Sequence, residues 1–200
     1  MIIPTSPNKL VGNWKDGYAL DTHTIKSVLI GEDEFGHLRY DTERSQLGEA
    51  VYQLKYKSDM AKVKDISETV CDFISNKWKD LERLDFVVPV PPSKTRVMQP
   101  VLEVAKQISN SLKIPLSEAD LVKGKNTSQL KNIYNYEERI KILEDVFIAG
   151  TTNLQGKNIL LFDDLYQSGA TLKVITDVLY NQIEANVVYV LTLTQTRKSL

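Results

Sequence analysis

Apolar and polar positions along this chain switch between a period of two and a period near three and a half, and the switches mark out its elements. Residues 18–30 and 36–40 read as short strands around a turn at 31–35. Leu47, Val51 and Leu54 give an apolar face to a helix over 44–56. Val63, Ile66, Val70, Phe73 and Ile74 do the same over 60–78. A short apolar strand over 85–90 stops at Pro91-Pro92. Val101, Leu102, Ala105, Ile108 and Leu112 set the inward face of a helix over 101–112, with a short strand expected over 113–116. Residues 122–134 are polar, contain Gly124 and follow no period, so they read as a mobile loop. A short helix over 136–143, a strand over 145–148 and a strong apolar strand over 159–162 come next. Leu172, Val174, Ile175, Val178 and Leu179 predict a helix opened by Thr171, and a very apolar strand over 186–194 closes the chain. Strands that alternate with helices and are apolar throughout predict a parallel α/β sheet with both faces covered. Ligands of such sheets sit outside the carboxyl ends of the strands.

One of those ends carries the strongest chemical signal. Residues 158–172 read N-I-L-L-F-D-D-L-Y-Q-S-G-A-T-L. An apolar run ends in two adjacent acids, Asp163 and Asp164, then a short loop through Leu165, Tyr166, Gln167, Ser168, Gly169 and Ala170 leads to Thr171 and the helix. Consecutive backbone N–H groups in a tight glycine-containing turn form a concavity for oxygen anions. The helix start adds unpaired N–H groups and the positive end of its dipole. Paired carboxylates suit the two hydroxyls of a ribose, so a sugar 5′-phosphate matches both halves. At the end of their strand both acids should be partly exposed and replaceable by asparagine at little cost in stability. The plainer alternative is an Asp-rich turn that caps a helix.

A second strand end, after Val90, carries Ser93, Lys94, Thr95 and Arg96 behind two stiffening prolines. Four such residues make a compact contact surface for a pyrophosphate; a solvated basic turn has the same composition. The rest of the chain narrows the field. Two hundred residues suit a single domain, and a net charge of −1 marks neither nucleic-acid nor anionic-membrane binding. The single cysteine, Cys71, excludes an internal disulfide and a cysteine-based zinc site. No apolar run approaches membrane-spanning length, residues 1–10 lack a signal-peptide pattern, and a cytoplasmic location is expected. Neither of the glycine-rich nucleotide motifs G-x-x-x-x-G-K-[ST] and G-x-G-x-x-G occurs.

The strand–Asp-Asp–loop–Gly-x-Thr–helix segment resembles the phosphoribosyl pyrophosphate (PRPP) signature of type I phosphoribosyltransferases. Gln167 stands where that family usually has Thr or Ser. Val88-Pro89-Val90-Pro91-Pro92, Arg96, Val104-Ala105, Arg139 and Phe147 resemble the ComF-type branch, in that branch's order, and Leu54-Lys55-Tyr56 with Asp59 resembles a further motif of it. Val97, Met98, Pro100 and Ile142 depart from its pattern, and its cysteine-rich zinc element is absent, as in a zinc-free branch.

The resemblance implies an α/β fold of the type I phosphoribosyltransferase kind: a central parallel sheet flanked by helices, with a small N-terminal β element, or hood, over 1–42 and a core over 43–200. It implies PRPP with Mg²⁺ as ligand, a nucleobase or nucleotide as second ligand, and no direct metal ligand on the protein. Asp163, Asp164 and Arg139 become the expected catalytic residues. Residues Leu165 to Thr171 become the cradle of the 5′-phosphate, and Ser93 to Arg96 that of the pyrophosphate. Residues 122–141 correspond to the family's flexible loop, with Lys123, Lys125 and Lys131 as its cations. The expected reaction is phosphoribosyl transfer to a nitrogen acceptor. The alternative is a non-catalytic PRPP or nucleotide sensor that serves DNA uptake or processing. The resemblance also leaves room for a DNA-handling protein partner and for a homodimer, and gives no role to a membrane.

Overall fold

The structure, a computed structural model, describes residues 1–92, 98–124, 135–144, 146–150 and 154–197. The chain runs β1 (Asn8–Lys9), β2 (Asp16–Thr22), β3 (Thr24–Glu32), β4 (Leu38–Arg44), α1 (Gln46–Lys57), α2 (Ala61–Asp72), β5 (Phe86–Pro89), α3 (Pro100–Leu112), β6 (Leu121–Lys123), α4 (Tyr136–Leu143), β7 (Phe147–Ala149), β8 (Asn158–Tyr166), α5 (Ala170–Asn181) and β9 (Val187–Gln195). The central sheet has the order β1-β2-β9-β8-β5, parallel except for β1.

The apolar strands β8 and β9 hold the middle of this sheet, and their period of two divides the core. Ile159, Leu161, Val188 and Val190 face one side, where α5 covers them with Leu172, Ile175 and Leu179. Leu160, Phe162, Tyr189 and Leu191 face the other, against Leu47 and Leu54 of α1, Ile66 and Val70 of α2, and Val104 and Ile108 of α3. All eight strand residues are 0% exposed. At roughly 1.5–3 kcal/mol per buried large aliphatic side chain, this double burial fixes the register of both strands.

Local chemistry places the helix ends. Ser45 caps α1 by accepting the N–H of Gly48 at 2.9 Å. Pro100 opens α3, where its missing N–H costs nothing. Asn135 caps α4 through the N–H of Glu138 at 3.1 Å. Helix α2 ends in a wide turn over Phe73–Lys77. There Phe73 and Trp78 pack edge-on around Tyr18, and the Trp78 indole N–H donates to Asp16.

Four expectations change. The strand over 18–30 divides. Its first part belongs to β2, which pairs in parallel with β9 inside the central sheet, while β3 and β4 form a separate antiparallel hairpin. Ala19 and Leu20 are fully buried, whereas Ile25, Val28, Leu29 and Ile30 are exposed, so one apolar stretch serves two environments. The expected loop over 122–134 begins as strand: Val122 and Lys123 pair with Ile148 and Phe147 across the β6–β7 hairpin. Residues 113–116 form only a single bridge, Val87 to Leu116. Finally, β8 does not stop at Phe162 but continues through both acids to Tyr166.

Candidate active site

The extension of β8 shapes the site. Asp163, Leu165 and Tyr166 remain paired with Thr192, Thr194 and Gln195 of β9, so the turn into α5 is only Gln167, Ser168 and Gly169. Gly169 takes φ +77 and serves as N-cap of α5 without any side-chain cap bond. The start of α5 lines a cavity of about 160 Å³ bounded by Asp163, Asp164, residues 165–172 and Arg139, and the Ala170 N–H donates to Ser168 Oγ at 3.5 Å. Arg139 arrives from α4. Its Nε is buried and has no hydrogen-bond partner among the described residues. A buried, unpaired guanidinium N–H beside a helix start is an arrangement completed by an oxyanion.

The two acids are half-buried at the joint of this cavity with a larger one of about 340 Å³. Asp163, Asp164 and Thr171 line both. Asp163 Oδ1 accepts the N–H of Asp164 at 2.8 Å. Asp164 Oδ2 accepts from Lys55 Nζ at 2.5 Å. Each carboxyl thus has one oxygen, Oδ2 of Asp163 and Oδ1 of Asp164, without a hydrogen-bond partner among the described residues. Burial, then the adjacent charge of Asp164, pushes the Asp163 carboxyl up to about 8, against the opposing N–H of Asp164 and charge of Lys55. At neutral pH Asp163 is mostly a protonated donor, and Asp164 is paired with Lys55. Burial works against the Lys55 ammonium, yet the charge and hydrogen bond of Asp164 outweigh it and hold its pKa up.

The larger cavity is walled by Pro89, Val90, Pro91, Pro92, Pro100, Val101, Leu121 and Phe147. Lys123 also lines it, from strand β6 rather than from a loop, with its pKa lowered by burial. Ser93, Lys94, Thr95 and Arg96, and the loop residues Lys125 and Lys131, lie outside the described residues. Lys55 joins the site from α1, a position to which the local sequence assigns no role. Its signal was present: it stands four residues after Val51 and eight after Leu47, a cation in line with the buried stripe of α1.

A third contact ties the hairpin end to the acids. The Thr194 hydroxyl donates to the backbone oxygen of Asp164 at 3.1 Å, and His23 Nδ1 lies 3.1 Å from that hydroxyl. With the hydroxyl proton committed to Asp164, Nδ1 is the protonated ring nitrogen and Nε2 an acceptor. Burial, then the charges of Arg44 and Lys55, lowers the His23 pKa, so the ring is neutral at pH 7.

The sequence matches no family profile. In structure, the chain aligns with an adenine phosphoribosyl transferase from Trypanosoma brucei in complex with AMP, pyrophosphate and ribose-5-phosphate. The TM-score is 0.51 over 94% of this chain and 73% of that one, at 10% identity. Identity that low speaks for the fold alone, and the fold is that of the type I phosphoribosyltransferases. Within that class the chain is ComF-like. It is 31% identical over 132 residues to the competence protein ComFC of Bacillus subtilis (strain 168), which covers 66% of this chain and 52% of that protein. The chain thus spans about half the length of the curated relative it matches. Among the described residues, no helix is long and apolar enough to cross a membrane.

Proposed function

We propose that this chain binds PRPP and transfers its phosphoribosyl group to a nitrogen acceptor with release of pyrophosphate. The observation that carries the reading is the joint at Asp163, Asp164 and Thr171, where a small anion-suited cavity opens into a larger one. The 5′-phosphate takes the N–H groups at Ser168 to Thr171 and the buried Nε of Arg139. The ribose hydroxyls meet the two spare carboxyl oxygens, donating to Asp164 and accepting from protonated Asp163. The pyrophosphate lies along Pro91 and Pro92. In the reaction the bond from C1 to the pyrophosphate oxygen breaks, and pyrophosphate leaves with the electron pair. The acceptor nitrogen bonds C1 and gives up a proton. The transition state carries positive charge on the ring, as in other glycosyl transfers. The protein contributes orientation and fixed electrostatics.

Mg²⁺ belongs to this reading as part of the substrate, carried on the oxygens of the pyrophosphate. The described residues include no group of three His, Cys, Asp or Glu side chains that could hold a metal ion. Asp164 is already committed to Lys55, so the acid pair does not fit a resident metal. The likeness to a competence protein supports a second reading, a nucleotide sensor that serves a DNA-handling partner.

Titration calorimetry with PRPP and with nucleoside monophosphates, beside a pyrophosphate-release assay across the common bases, separates the two. Base-dependent release is the expected result. Tight nucleotide binding with no release for any base would establish the sensor, and no binding at all would remove both.

A further inference from the structure

Lys55 sits where a cation at the ribose acids would sit. Its Nζ lies 2.5 Å from Asp164 Oδ2, and the two side chains are only 23% and 13% exposed. It lines the same cavity as both acids. The stem is held in place, because α1 is capped by Ser45 and anchored by buried Leu47, Val51 and Leu54. A divalent ion at Asp164 would have to displace this ammonium or be bound beside it, against like charge in a poorly hydrated site. The pairing also sorts the carboxyl oxygens. Lys55 and the N–H of Asp164 each engage one, and the two left over match the two hydroxyls of a ribose.

Resting on the function proposed above, we infer that Lys55 is a built-in counter-cation that positions Asp164 and lets the site bind a ribose 5-phosphate without a divalent metal ion. The metal ion then matters only for ligands that bring a pyrophosphate. Lys55 acts through Asp164 and is a positioning residue. Removing its charge should leave the acid pair underneutralised and open Asp164 to an added cation.

The test is titration calorimetry with ribose 5-phosphate, in EDTA and in millimolar Mg²⁺, on the wild-type chain and on Lys55→Met and Lys55→Arg. Inorganic phosphate serves as the control ligand for the helix start, which Lys55 does not touch. The wild type should bind ribose 5-phosphate equally well in both buffers. Lys55→Met should bind about tenfold or more weakly in EDTA, the loss expected when a charged hydrogen bond no longer holds its acceptor. It should regain affinity with Mg²⁺ and keep its affinity for inorganic phosphate, and Lys55→Arg should need no metal. Equal affinity of wild type and Lys55→Met in EDTA, or a wild type that needs Mg²⁺, overturns the inference while the ribose-phosphate reading stands. If Lys55→Met does not fold, Lys55→Gln removes the same charge and is read in the same way, and a wild type that needs Mg²⁺ still overturns the inference. A wild type that binds phosphate but no ribose 5-phosphate in either buffer removes the ribose-phosphate reading and this inference together.

Discussion

The phenol of Tyr166 lies over Gly169, so that a Cβ on Gly169 would stand 2.7 Å from the Tyr166 hydroxyl and 2.9 Å from its ring. Two requirements therefore meet at one residue: the left-handed φ of +77 and an open face beneath the ring. Gly169→Ala should cost about 1–2 kcal/mol from backbone conformation alone. Relief of the contact pushes the turn away from the start of α5. Calorimetry with inorganic phosphate should show weakened binding in a folded variant. Gly169→Ala with Tyr166→Ala should recover part of the stability, since the contact is relieved, but not the backbone cost. Unchanged phosphate affinity in Gly169→Ala would remove this turn from the anion site.

Arg139 supplies a change whose effects on stability and binding should have opposite signs. Its Nε is buried with no hydrogen-bond partner among the described residues, and an unsatisfied buried donor destabilises the ligand-free fold. Arg139→Met keeps much of the packing and removes that group. The ligand-free variant should melt at or above the wild-type temperature. Its affinity for a 5′-phosphate should fall by roughly 1.5–3 kcal/mol, the worth of a hydrogen bond to a charged group. A variant that loses stability and keeps affinity would make Arg139 a structural residue.

How far the sequence reached depended on what each pattern could encode. The strand–acids–loop–helix order makes the candidate site legible, because burial on both faces forces an apolar run and the acids end it visibly. Arg139 becomes a candidate only through family likeness; nothing in its neighbourhood, Glu137, Glu138 and Lys141 included, marks one cation over another. Alternation could not divide 18–30, since β2 and β3 are both apolar and only one of them is covered. The Lys55–Asp164 pair joins residues 109 positions apart, so no local pattern could hold it. It also alters the expectation that both acids could be replaced at little cost. Asp164 neutralises a mostly buried ammonium, and only Asp163 is free of such a debt.

Asp163 predicts a pH dependence. Its carboxyl is raised from an ordinary 3.8 to about 8 by burial and by the charge of Asp164. Between those values the folded chain holds a proton that the unfolded chain has released. Its stabilising contribution is complete below about pH 4 and is lost as pH rises toward 8, by at most about 1.4 kcal/mol per unit. Asp163→Asn removes this slope. Urea midpoints for the variant should gain on the wild type from pH 5 to pH 8. Parallel wild-type and variant curves would mean that Asp163 titrates as an ordinary surface acid.

Asp164, one residue on, should respond in the opposite direction. Asp164→Asn leaves the Lys55 ammonium without its carboxylate, and Lys55→Met leaves the carboxylate without its ammonium. Each single change should destabilise the fold by about 1–3 kcal/mol at pH 7. Together they remove both charges from a half-buried place, so the double variant should be more stable than the sum of the singles predicts, and at least as stable as the worse of them. Chemical denaturation of the four chains measures this coupling directly. At 4 M salt the coupling should shrink only modestly, since side chains 23% and 13% exposed are poorly screened. A coupling near zero would show that Lys55 and Asp164 act independently, and the neighbouring acids would then lose their opposite signs.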